Sequence, residues 1–187
     1  MPKSTDEIVV GANGTIRAAA TSVAEPADIS AAYPAGWVDL GYASEDGVTA
    51  LDSKTLERIN VWQLFYPARR IIVDRDFTLA FALRQFSGIQ VELAFGGGEV
   101  TEDAAGKYRF TPPDPEVIDE RKLSVEWIDG DNTYRILIPK GMVTDNVETK
   151  IVRSAASDLP ITFGVNGTEG EAPWYLLTDD PTFAEAT

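Results

Sequence analysis

The chain has 187 residues, 44% hydrophobic and 25% charged, which suits one globular domain able to bury a core without disulfide or metal support. It contains no Cys and no His, which excludes thiol nucleophiles, Ser-His-Asp triads, His general bases and zinc sites built from those residues. Its 30 acidic against 16 basic residues give a formal net charge of −14, which repels phosphate backbones and argues against conventional nucleic-acid binding.

In chain order, residues 1–7 carry one basic residue and no apolar h-region, so a cytoplasmic chain without a secretory leader is expected. A short strand over 8–10, an Asn13-Gly14 hairpin turn and a strand over 15–17 follow. The Ala-rich stretch 18–32, interrupted by Pro26 and broken at Pro34, reads as an extended arm that either docks on a neighbouring molecule or is loosely ordered in a free monomer. Residues 1–36 form this hairpin and arm.

A strand is predicted over 38–42, closed by a turn at Ser44-Glu45-Asp46-Gly47. Residues 48–62 read as strand, although Leu56 to Ile59 could form one helical turn. The clearest period of two lies beyond Pro67, in residues 71–84: Phe77, Leu79, Phe81 and Leu83 share one face, and Asp74, Asp76, Thr78, Ala80, Ala82 and Arg84 the other. Ser87 is placed to cap a short helix over 88–95, with Phe86, Ile89 and Leu93 on its packed side and Gly96 to Gly98 ending it.

Residues 99–120 are rich in acid, Gly and Pro and read as a long loop, with 107–111 its one short strand. Residues 121–129 and 133–138 alternate as a hairpin around Gly130-Asp131-Asn132, and Pro139-Lys140-Gly141 is expected to break it. A further antiparallel pair, 143–153 with 159–165, is expected around a turn at 155–158. A last strand over 174–177 precedes a polar tail, 179–187.

Local chemistry is weak. Asp129-Gly130-Asp131-Asn132 lacks the spacing and distal Glu of an EF-hand and suits a solvated turn. Asn13-Gly14-Thr15 and Asn166-Gly167-Thr168 match glycosylation acceptors but read as turns. Gly96 to Gly98 lacks the Lys-Ser/Thr of a phosphate loop. Asp74 and Asp76 share a strand face, yet glycosidase carboxylates come from separate elements around a cleft. No catalytic, cofactor or metal residues are expected. The four Trp residues suit the core first, with Trp62 and Trp174, near the ends of their patterns, as candidate subunit contacts.

The run from Trp37 through Asp39, Leu40, Gly41 and Tyr42 to Ser44-Glu45-Asp46-Gly47-Val48, then a strand, Trp62, a second long strand and one helix, resembles the major tail proteins of long-tailed bacteriophages, particularly those of actinobacteria. The similarity covers residues 37–95, and more loosely 121–138 with its Ile138-Pro139-Lys140-Gly141 ending. It departs at Phe65-Tyr66-Pro67, which looks inserted, and in lacking a carboxyl-terminal immunoglobulin-like domain.

The resemblance implies a mainly β fold: an antiparallel β-sandwich or partly rolled barrel over 37–178 with one short flanking helix, a long loop and terminal arms. It implies hexameric rings stacked into a virion tail tube assembled in the host cytoplasm. The implied partners are other copies of the chain, a tape measure protein and a tail terminator, with genomic DNA passing through the lumen and no membrane. Inner strands of such subunits make a continuous barrel, so Asp74 and Asp76 become candidate lumen residues that repel DNA. Loop 96–120 and the amino-terminal arm become candidate connectors between subunits. A soluble glycan- or protein-binding β-sandwich and a carboxylate-based hydrolase are the rival readings.

Overall fold

The computed structural model describes residues 8–184. Ten strands and one helix follow in the order β1 (Asn13–Ala20), β2 (Val38–Asp39), β3 (Ala43–Ile59), β4 (Arg69–Leu83), α1 (Gly88–Ala94), β5 (Glu99–Ala104), β6 (Lys107–Thr111), β7 (Arg121–Asp129), β8 (Asn132–Val143), β9 (Leu159–Val165) and β10 (Tyr175–Thr178). A 3₁₀ turn, Pro181–Ala184, closes the described chain.

The main sheet runs β2-β1-β7-β8-β9-β4-β3, all antiparallel, with β10 also on β8. Strand β8 joins its two halves. Residues Tyr134 to Leu137 pair with both β7 and β10, whereas Gly141 to Val143 pair with β9. The two halves pack face to face as a sandwich, one of the two forms the resemblance implies, and the sheet does not close into a barrel. The core holds Ile16 and Ala18 of β1, Leu123 and Val125 of β7, Ile138 of β8, the four apolar residues Phe77 to Leu83 of β4, and Leu159, Ile161 and Phe163 of β9. Helix α1 adds Leu93 and Ala94. Burying these alternating apolar side chains is the main stabilising term.

Several expectations from local sequence give way to pairing at long range. Residues 8–10 form no strand, and Asn13-Gly14 is no turn: both residues enter β1, opposite Ile128 and Trp127. The first alanines of the arm, 18–20, complete that strand. Strand β2 is only two residues long because Gly41 turns the chain with φ +74. Ser44 to Gly47 is not a terminal turn but a bulge within β3, where the register steps from Ala43 opposite Leu83 to Val48 opposite Phe81.

Pro139 does not end the second hairpin either. Strand β8 continues past it because the ladder skips there, between Arg121/Gly141 and Leu123/Ile138, so the missing N–H costs no bond. The strand expected over 143–153 stops at Val143, and 159–165 pairs instead with the end of β8 and with β4. Loop 96–120 contains a hairpin of its own, β5 with β6. Phe86 is exposed rather than packed under the helix.

The 37–48 run crosses from one half of the sandwich to the other. Leu40 donates its N–H to Ile16 O at 2.9 Å and is fully buried, while Tyr42 O accepts from Arg84 N at 2.8 Å. Gln90 of α1 is buried, and its Nε2 donates to Leu40 O at 2.8 Å while its Oε1 accepts the Ser87 N–H at 2.6 Å. One side chain thus caps the helix and ties it to the crossover.

Candidate assembly surface

Strands β3 and β4 form a hairpin far longer than the sandwich needs. Only the inner part of β4, Phe77 to Leu83, reaches the core, and nearly every residue from Thr49 to Asp76 is exposed. Strand β3 lies at the end of the sheet order, and β4 meets β9 only from Thr78 inward. Both edges of the outer hairpin therefore present unpaired backbone donors and acceptors among the described residues. No proline interrupts either strand, although exposed edges are normally blocked by proline, charge or covering segments. The full-length open edge belongs to β3, and β4 is open only in its outer half.

The ladder register sorts the side chains by face. Asp76 stands opposite Ser53 and Asp74 opposite Thr55, on the face turned away from Phe77 and Leu79. Both carboxylates are exposed, and no ion pair reaches either among the described residues. The other face is neutralised: Arg75 clamps Asp52 through Nε at 3.1 Å and Nη2 at 2.9 Å, and Lys54 Nζ lies 3.6 Å away. That hydrogen bond with Arg75 holds the Asp52 carboxyl below its ordinary pKa. Beyond Thr55 the register skips Val73, bulging the strand before its tip.

The tip, residues 60–68, is uncharged and aromatic. Trp62, Phe65 and Tyr66 have relative exposures of 99%, 107% and 84%, so they touch almost nothing in the chain that carries them. Its base is closed by Ala68 N donating to Ile59 O at 2.9 Å. Trp62 thus lies where a subunit contact can form. Trp174 instead stacks on Phe77, ring centroids 4.3 Å apart, and is half buried against the core.

The two other candidate connectors are partly tied down. The β5–β6 hairpin leans on the helix through Phe110 against Phe95, centroids 5.7 Å apart, and through Val100 beside Gly88. Residues 21–36 fold back over their own sheet, where Tyr33 lies between the guanidinium groups of Arg17 and Arg135, each 4.4 Å from its ring centre. Tyr33 Oη and Ser124 Oγ are 2.8 Å apart, and Glu25 pairs with Lys122 at 2.6 Å and accepts from Tyr175. The amino-terminal reading on residues 1–7 and the end of the tail, 185–187, lie outside the described residues.

Sequence reasoning missed the apolar cleft between the halves of the sandwich at the hairpin's base. It has a volume of about 750 Å³ and is lined by Ile16, Leu79, Val125, Trp127 and Ile136, with Glu45 and Asp46 at its rim. Those five apolar residues were legible as strand, whereas Gly14 and Ser44 to Gly47, which also line it, read as turns, and the gap between the strands was not legible. No helix among the described residues is long and apolar enough to cross a membrane, and no cluster of acidic residues there could hold a metal ion. No curated protein matches the chain in sequence. A family profile described as phage tail tube protein matches residues 1–187, the full sequence. With a match of that extent, and a fold whose longest hairpin is left open for pairing, the chain belongs to the phage tail tube protein family.

Proposed function

We propose that this structural, non-enzymatic tail subunit assembles as hexameric rings that stack into a tube, with Asp74 and Asp76 facing a lumen through which DNA passes. The observation that carries the reading is the outer β3–β4 hairpin, exposed on both faces and unpaired at both edges. Pairing β3 of one copy with the outer half of β4 in the next satisfies those edges. Repeated by rotation, such a head-to-tail contact closes a ring. The unneutralised acids on one face then repel the phosphates of passing DNA and limit sticking.

A tape measure protein and a tail terminator would set tube length, and assembly would take place in the host cytoplasm. The β5–β6 hairpin and the amino-terminal segment would bridge subunits or rings. Trp62 and the part of Trp174 left exposed would contribute to the contacts. High negative charge keeps free subunits apart until assembly is initiated.

Electron microscopy of concentrated purified protein tests the reading. Rings of six with an open channel, alone or stacked, are expected; a strictly monomeric protein that binds glycans overturns it. Asp74→Lys with Asp76→Lys is expected to permit assembly while lowering DNA delivery by the phage. Unchanged delivery removes these two residues from the lumen.

A further inference from the structure

The hairpin tip and the cleft are complementary, and they lie at opposite ends of the same hairpin. Ala50 lines the cleft and Ile59 ends β3 at the base of the tip, a span of roughly 30 Å at about 3.3 Å per strand residue. Strand β3 is paired with β4 across that whole span, so the tip cannot fold back into its own cleft. Whatever seats the tip must be another molecule.

Charge indicates which. In a chain of net charge −14, the base of the tip gathers three arginines: Arg58 and Arg70 stand directly opposite each other in the ladder, and Arg69 is adjacent. Like charges directly opposite destabilise a sheet pair, and no carboxylate pairs with any of the three among the described residues. At the cleft rim, Glu45 and Asp46 are exposed and likewise meet no cation there. The tip carries aromatic surface with a collar of three arginines and one carboxylate, Glu57, and the cleft offers walls of mixed character, Trp127 and Ile136 beside glycine and alanine backbone, with an acidic rim.

We propose that the tip of one copy, centred on Trp62 and Phe65, inserts into the cleft of a second copy of this chain, with Arg58 and Arg70 meeting Glu45 and Asp46. The proposal rests on the tube-subunit reading and deepens it. Edge pairing joins neighbours side by side, whereas tip-in-cleft docking joins copies end to end, displaced along the hairpin. Because donor and acceptor are different patches, the contact is heterologous and propagates without closing on itself in pairs. Each aromatic side chain seated in this way buries about 150–250 Å².

The chain has no cysteine, so engineered thiols are its only ones. Gln63→Cys places a thiol at the tip and Glu45→Cys one at the rim; a short bismaleimide is applied to concentrated protein, and the parent is imaged in parallel. The doubly substituted chain should give a ladder of dimer, trimer and larger species. Each single variant alone should give no cross-linked species, and a mixture of the two should stop at cross-linked dimer. Arg58→Glu should lower cross-linking about tenfold, and Asp46→Arg in the same chain should restore it.

Tubes or rings by microscopy without a ladder, or a Gln63→Cys chain that dimerises by itself, overturn the docking while leaving the tube reading intact. A ladder from the doubly substituted chain, when the parent forms neither rings nor tubes, supports the docking and defeats the tube reading. No cross-links and no assembly overturn both.

Discussion

Arg135 shows how one residue sets the back of the sandwich. It is buried at 4% exposure, pairs with Glu126 at 2.5 Å, donates to Asp28 O at 3.0 Å and stacks on Tyr33. Arg135→Ala leaves Glu126 with Arg17, 3.6 Å away, and the Tyr33 hydroxyl, and frees the chain above it, so a loss of about 1–3 kcal/mol in denaturant-determined stability is expected. Two glycines are constrained as well, Gly41 by its backbone conformation and Gly141 by its surroundings. Gly41 has φ +74, and a Cβ there would sit 1.5 Å from Gln85 Oε1; a Cβ on Gly141 would sit 2.4 Å from Gly164 O and from the Phe163 ring. Gly141→Ala should destabilise by about 1–3 kcal/mol, measured in the same way, because backbone and an aromatic core residue must both move. The sequence shows that Arg135 alternates with apolar neighbours on β8; that its face is covered by residues 21–36 depends on a fold-back that no local pattern encodes.

At the scale of the element, that fold-back is held by titratable groups. Burial disfavours the Glu25 carboxylate, but the hydrogen bonds from Lys122 and Tyr175 outweigh it and hold its pKa below the ordinary value. Burial, and then the Glu25 contact, push the Tyr175 phenol well up. A depressed carboxyl contributes stability above its unfolded pKa of about 4.3, lost as pH falls through the folded value. A raised phenol contributes below about pH 10, lost as pH rises through its folded value. Hydrogen-exchange protection of residues 21–36, relative to the β7–β8 ladder, should therefore be greatest between those limits and fall on acidification. Glu25→Gln should already have low protection at neutral pH and change little with acid; a variant that follows the parent's acid profile would show that other carboxylates control the segment.

For the whole molecule, the hairpin divides into an inner part that builds the core and an outer part that the monomer does not use. Asp52 and Phe77 are direct ladder partners, so replacing residues 53–76 with Asn-Gly leaves a two-residue hairpin loop of a favoured type. The shortened chain should stay folded, with stability changed by less than about 1 kcal/mol, since the removed side chains are exposed. It should fail to form rings or tubes under conditions in which the parent assembles, as sedimentation would show. A shortened chain that still assembles would place the contacts elsewhere.

Short-range patterns of hydrophobicity and turn chemistry already carry the mainly β class, the family resemblance, the alternation that buries Phe77, Leu79, Phe81 and Leu83, the β7–β8 hairpin and the capped helix after Ser87. Tertiary structure alone decided that Asn13-Gly14 is strand, that Ser44 to Gly47 is a bulge and that Pro139 is spanned, because a ladder with a distant partner outweighs local turn preference. It also decided which strands keep open edges and where the cleft lies. Those depend on how many partners each strand finds, a property of the assembled sheet that no single segment carries.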